Sequence, residues 1–122
     1  MFLDTPAGFQ LNVDQISERA AAYFREHVQL PLVVASFKSS ELTPPPEAEK
    51  THRLLGEAHY ILLGPGSPTY AVRQLQRSPI PALLNLHLRQ GGCLVTASAA
   101  ALTVGRFTLP VYELYKVGAD LH

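Results

Sequence analysis

The pentapeptide Thr96-Ala97-Ser98-Ala99-Ala100 joins a β-branched apolar run to a run of small residues. A chain that turns sharply from strand into helix tolerates only small neighbours, and it lifts the side chain at the bend above the sheet, as in a nucleophile elbow. Thr96 and Ala100 stand where the G-x-S-x-G pattern has glycine. Ser98 therefore has two readings: a nucleophile, or a small polar residue capping the helix that follows. The second chemical feature is Gly64-Pro65-Gly66-Ser67-Pro68, directly after the apolar run Tyr60-Ile61-Leu62-Leu63. Glycines in such a loop let backbone N–H groups face a developing oxyanion, where one donor contributes about 3 kcal/mol in the transition state. Pro65 has no N–H, which leaves Gly64, Gly66 and Ser67 as candidate donors. An ordinary strand-to-helix turn is the alternative.

A serine nucleophile needs a base, normally a histidine held by a carboxylate. Of the five histidines, His27 and His52 fall on predicted helices and His59 just before a strand, all three reading as surface residues. His87 lies on a predicted helix beside the elbow strand and reads as a helix-face residue. His122 alone lies downstream of Ser98, so it is the candidate base, although a terminal residue is poorly held. Glu113 is the candidate acid; a carboxylate facing solvent from a strand is the alternative. Tyr70 and Arg73 can either orient a carboxylate substrate or pack on a helix face. Asp4-Thr5-Pro6-Ala7-Gly8 reads as a turn that lines the substrate pocket, and Cys93 as a small buried apolar residue.

These residues sit on alternating strands and helices. Phe2-Leu3 reads as the end of a buried strand. Asn12 and Gln15 take capping-box positions, and Val13, Ile16, Ala20, Phe24 and Val28 recur at helical spacing, predicting a helix over 13–27. Residues 31–37 are apolar on both faces and predict a strand covered on two sides. A proline-rich loop follows, with Thr43 as the expected cap of a helix over 47–57. The second full strand is 60–63. Helices are expected over 69–76 and 79–89, the latter capped by Ser78. A third strand over 93–97 and a small-residue helix over 99–104 bracket Ser98, and 109–117 alternates like a weaker strand. This order predicts an α/β fold, a mainly parallel sheet with helices on both faces and right-handed crossovers, whose ligand sits beyond the carboxyl ends of the strands.

Composition bounds the function. At 122 residues and 47% hydrophobic content, one domain is expected, which buries roughly two thirds of the surface its unfolded chain exposes. Ten basic residues balance ten acidic ones, so the basic excess that nucleic-acid binding requires is missing, and so is long-range steering toward an anionic membrane. The lone cysteine rules out an internal disulfide and points to a reducing, cytoplasmic setting. No apolar stretch approaches the roughly 20 residues of a membrane span. No metal site and no cofactor are expected.

The stretches Leu62-Leu63-Gly64-Pro65-Gly66-Ser67-Pro68-Thr69-Tyr70, Gly91-Gly92 and Cys93-Leu94-Val95-Thr96-Ala97-Ser98-Ala99-Ala100-Ala101 together resemble the type 1 glutamine amidotransferase-like superfamily, in its serine branch with peptidase E and cyanophycinase. The segment Pro110-Val111-Tyr112-Glu113-Leu114-Tyr115 adds to the likeness. The resemblance implies a flavodoxin-like three-layer fold of which this chain is part, lacking N- and C-terminal portions. It also implies Ser98 at the nucleophile position, the oxyanion held near Gly64, Gly66, Ser67 and Ala99, and an amide or peptide substrate. Thiolate chemistry is disfavoured, since serine stands where the amidotransferases have cysteine. The family's histidine follows a further strand and has no match here, so little hydrolysis is expected of the chain alone. A non-catalytic domain that binds a small molecule or a partner is the rival reading. Sheet edges left uncovered by missing portions predict self-association into a homodimer or aggregate.

Overall fold

The computed structural model describes residues 1–118. Four strands form one parallel sheet: β1 (Phe2–Leu3), β2 (Val34–Ala35), β3 (Tyr60–Leu63) and β4 (Cys93–Thr96), in the spatial order β2-β1-β3-β4. β1 pairs with β2 through Phe2↔Val34 and with β3 through Phe2↔Leu62, while Tyr60↔Cys93 sets the register of β3 against β4. The helices are α1 (Val13–Tyr23), α2 (Pro45–Glu57), α3 (Pro68–Leu75), α4 (Ile80–Arg89) and α5 (Val111–Tyr115). The chain moves outward from β1 to β2, then crosses back over β1 to β3 and on to β4. With right-handed crossovers that reversal puts α1 on one face of the sheet and α2 and α4 together on the other. α2 and α4 do pack side by side. The result is the expected α/β, flavodoxin-like three-layer arrangement with an all-parallel sheet.

The core lies between the sheet and the α2–α4 layer. Leu3, Ile61 and Leu63 on the strands meet Leu55 of α2, Leu75 of α3, and Ile80 and Leu84 of α4, all buried. Each such side chain contributes about 1.5–3 kcal/mol by leaving water. The apolar spacing along α2 and α4 is therefore what fixes them to the sheet.

Several local expectations are corrected. The run 31–37 forms only a two-residue strand at the sheet edge, with Val33 half exposed, because one of its flanks has no neighbouring strand. α2 starts at Pro45, a residue with its φ preset for a helix, and Thr43 does not cap it; the Thr43 hydroxyl accepts the Ser39 N–H instead. Asn12 precedes α1 without capping it through its side chain, and α1 runs on into a π-helical turn over Phe24–Val28. Ser78 does accept the Ile80 N–H at the start of α4. The expected strand over 109–117 is instead the short helix α5. Cys93 is exposed rather than buried, since it opens the edge strand β4.

Candidate functional site

Three loops leave the carboxyl ends of neighbouring strands and meet on one side of the sheet. The loop after β1 is a buried 3-10 turn, Thr5–Ala7, introduced by Asp4. The loop after β3 carries Gly66 at φ +153°, where a Cβ would lie 2.0 Å from the Pro6 carbonyl oxygen. Only glycine lets the two loops come this close. The contact is sealed by the Ser67 N–H donating to the Pro6 carbonyl at 2.9 Å, while the Gly64 N–H donates to the Leu3 carbonyl at 3.0 Å.

Those two bonds decide among the donors of the glycine loop. Gly64 and Ser67 have their N–H groups engaged by neighbouring carbonyls. Among the described residues the Gly66 N–H has no acceptor, and neither does the Ala99 N–H. Gly66 and Ala99 line the same pocket, of about 490 Å³, as Ser98.

Ser98 is the residue at which β4 gives way to a 3-10 turn, Ser98–Thr103. Its φ is +57°, in the left-handed region that costs a residue with a Cβ roughly 1–2 kcal/mol. Strain of this kind persists where the surroundings over-determine it, and strand-to-helix elbows impose it on their nucleophile. The side chain is exposed to the pocket, and among the described residues its hydroxyl makes no hydrogen bond. The capping alternative fails on that point, because the turn has no side-chain cap. Comparison with protein-family models, with curated proteins and with solved structures found no match.

The rest of the pocket wall comes from Gln10, from Ile16 of α1, from Pro65, and from Val111, Tyr112, Tyr115 and Lys116 in and after α5. Sequence reasoning missed these groups, since α5 read as a strand and Gln10 lies in a loop without a pattern. Phe9 packs against both Tyr70 and Tyr112, with ring centroids 5.0 and 5.2 Å away, and so ties α5 to the first loop.

Glu113 is not beside Ser98 in the pocket wall. Its carboxylate accepts the Ser67 hydroxyl at 2.9 Å and the Thr69 hydroxyl at 3.3 Å, over the first turn of α3. An anion there is favoured by the helix dipole. Ser67 also caps α3, accepting the Tyr70 N–H at 3.1 Å. Glu113 thus holds α5 over the glycine loop, and neither of its bonds reaches a histidine.

None of the four described histidines lines the pocket. His27 and His59 are exposed. His52, expected at the surface, is half-buried, and its Nε2 is shielded from water. His87 is buried, with Nε2 3.0 Å from the Cys93 carbonyl oxygen and its ring against Gly92, so it fixes the start of β4. His122 lies outside the described residues. Tyr70 donates its hydroxyl to the Lys38 carbonyl at 2.8 Å, a packing role.

Asp4, read as a pocket residue, is instead a buried clamp. Its carboxylate accepts the Phe37 N–H at 2.8 Å and the Ser36 hydroxyl at 2.9 Å, joining the ends of β1 and β2. Burial pushes its pKa up, opposed by those two hydrogen bonds and by the nearby Lys38 charge. The Lys38 ammonium is paired with Asp14 at 2.7 Å. No helix among the described residues is long and apolar enough to cross a membrane.

Proposed function

We propose that the chain is a serine hydrolase-like domain of the peptidase E type, acting on an amide or peptide bond, with Ser98 as nucleophile. The observation that carries the reading is the left-handed backbone of Ser98, an exposed unbonded serine at a strand end, in one pocket with two N–H groups that have no acceptor. In the reaction the Ser98 Oγ attacks the carbonyl carbon and passes its proton to a base. The carbonyl oxygen gathers negative charge between the Gly66 and Ala99 N–H groups. The amine departs with a proton, and water then cleaves the ester left on Ser98.

The pocket lacks a histidine among the described residues, so acylation and turnover separate. An activated ester carries its own good leaving group and needs the base least. Incubation of the folded chain with 4-nitrophenyl acetate is expected to leave one acetyl group on Ser98 by intact and peptide mass, absent in Ser98→Ala. Hydrolysis of a dipeptide library is expected to be slight. Robust turnover by this chain would show that a base does reach Ser98.

The same missing histidine favours a second reading, a domain that keeps the pocket and binds a small molecule without chemistry. Folded protein that takes up no acetyl group on Ser98 would support it.

A further inference from the structure

The Ser98 pocket has a wall that bond cleavage itself does not use. Val111, Tyr112, Tyr115 and Lys116, in and after α5, stand at spacings of three and four residues, which gathers side chains on one side of a helix. All four line the pocket, while Glu113 between them bonds the Ser67 and Thr69 hydroxyls instead. Across from them stands Ile16 of α1.

This wall offers mostly hydrocarbon and ring. Ile16, Val111 and Tyr112 are half-buried, and Tyr115 is 86% exposed. Aliphatic groups and an open tyrosine ring gathered around an exposed serine make one contiguous apolar surface without a cover, and such a surface marks where a ligand lies. The polar members of the wall do not favour a charged ligand. Lys116 is exposed, so its ammonium stays in water while its methylene stem extends the apolar wall, and a lone solvated cation holds an anion only weakly. Gln10 is neutral. No carboxylate among the described residues lines the pocket, so a cationic group entering it would lose water and gain no partner.

We infer that the pocket selects substrates whose acyl group is apolar, with its chain on Ile16, Val111 and Tyr115 and its carbonyl at Ser98. The inference rests on Ser98 as the reacting residue. The acyl group is the part that stays on the nucleophile until water releases it, so the groups that wall Ser98 face it through both halves of the reaction. An acidic or basic acyl side group would be partly stripped of water against the same wall.

Binding and chemistry are read separately. Ser98→Ala, which removes the nucleophile, is titrated with acetamide, hexanamide, 6-aminohexanamide and the monoamide of adipic acid, and the amide NMR signals of residues 10–16 and 111–116 are followed. A methylene taken fully out of water adds about fourfold in affinity and a half-covered one about twofold. Hexanamide, with four more methylenes than acetamide, is therefore expected to bind about tenfold more tightly, and both charged amides more weakly than hexanamide. Tyr115→Ser, at an exposed position, is expected to weaken hexanamide about threefold and leave acetamide unchanged. In the parent chain, 4-nitrophenyl hexanoate is expected to acylate Ser98 about tenfold faster than the acetate ester by intact mass. Equal affinity for hexanamide and acetamide would overturn the inference, as would tighter binding of either charged amide. Tighter binding of N-butylacetamide than of hexanamide would move the apolar group to the amine side and overturn it too. Preferential binding of hexanamide by a protein whose Ser98 takes up neither acyl group would support the pocket's preference and overturn Ser98 as nucleophile.

Discussion

Ser98 is legible in the sequence as a position and illegible as a conformation. Small residues on either side of it announce a tight bend, but nothing in five residues says that the serine itself, rather than a neighbour, takes the left-handed angle. That angle has a measurable sign. In an ordinary helix glycine is less stable than alanine by about 1 kcal/mol, whereas at φ +57° the order reverses, because glycine has no Cβ to clash. Ser98→Gly is therefore expected to exceed Ser98→Ala in stability by about 1 kcal/mol in urea unfolding. Asp4 was harder to read: a lone acid after an apolar pair looks like a loop residue, and only the fold shows that the ends of β1 and β2 need it as a shared acceptor. Its folded pKa lies above the ordinary aspartate value of 3.8. Between that value and the raised one, the native state holds a proton that the unfolded chain has lost, so the stability from this group falls as pH rises. Asn at position 4 keeps an acceptor for the Phe37 N–H without the charge. The stability of Asp4→Asn relative to the parent is expected to increase from about pH 4 to about pH 7 in urea titrations.

At the scale of elements, strands and helices flanked by proline or glycine were readable, and those decided by a distant partner were not. Tyr60–Leu63 and Cys93–Thr96 announce themselves as short β-branched or aliphatic runs that end in glycine or small residues. The segment after Leu109 alternates like a strand, yet it pairs with no strand among the described residues. Glu113 bonded to Ser67 and Thr69, together with Tyr112 against Phe9, settles it as α5. None of these three partners lies within forty residues of it in sequence. The same logic limits what can replace Gly66. Its Cβ would strike backbone, which cannot swing aside as a side chain would. Gly66→Ala is expected to cost about 3 kcal/mol in urea unfolding, and to move a loop that lines the pocket. An unchanged midpoint would mean that the loops after β1 and β3 are not in this contact.

For the whole molecule, alternation of strand and helix was enough to predict a parallel sheet and the side of it on which loops converge. The strand order β2-β1-β3-β4 then places the reversal of direction beside β1, where the glycine loop meets the first turn. Composition had no part in choosing the site: a balanced charge and an apolar fraction near one half fit any α/β domain. What the sequence withheld is the filling of the pocket, because Tyr112, Tyr115 and Lys116 reach it only once α5 is folded over the loops, and Gln10 comes from a loop without a pattern. The proposal singles out Ser98 on its left-handed backbone and exposed, unbonded hydroxyl. Labelling of the folded protein with a fluorophosphonate probe, with the site mapped by peptide mass, tests this most directly. The expected result is a single adduct on Ser98, lost in Ser98→Ala while that variant stays folded; an unlabelled folded protein, or a label on another serine, would contradict it.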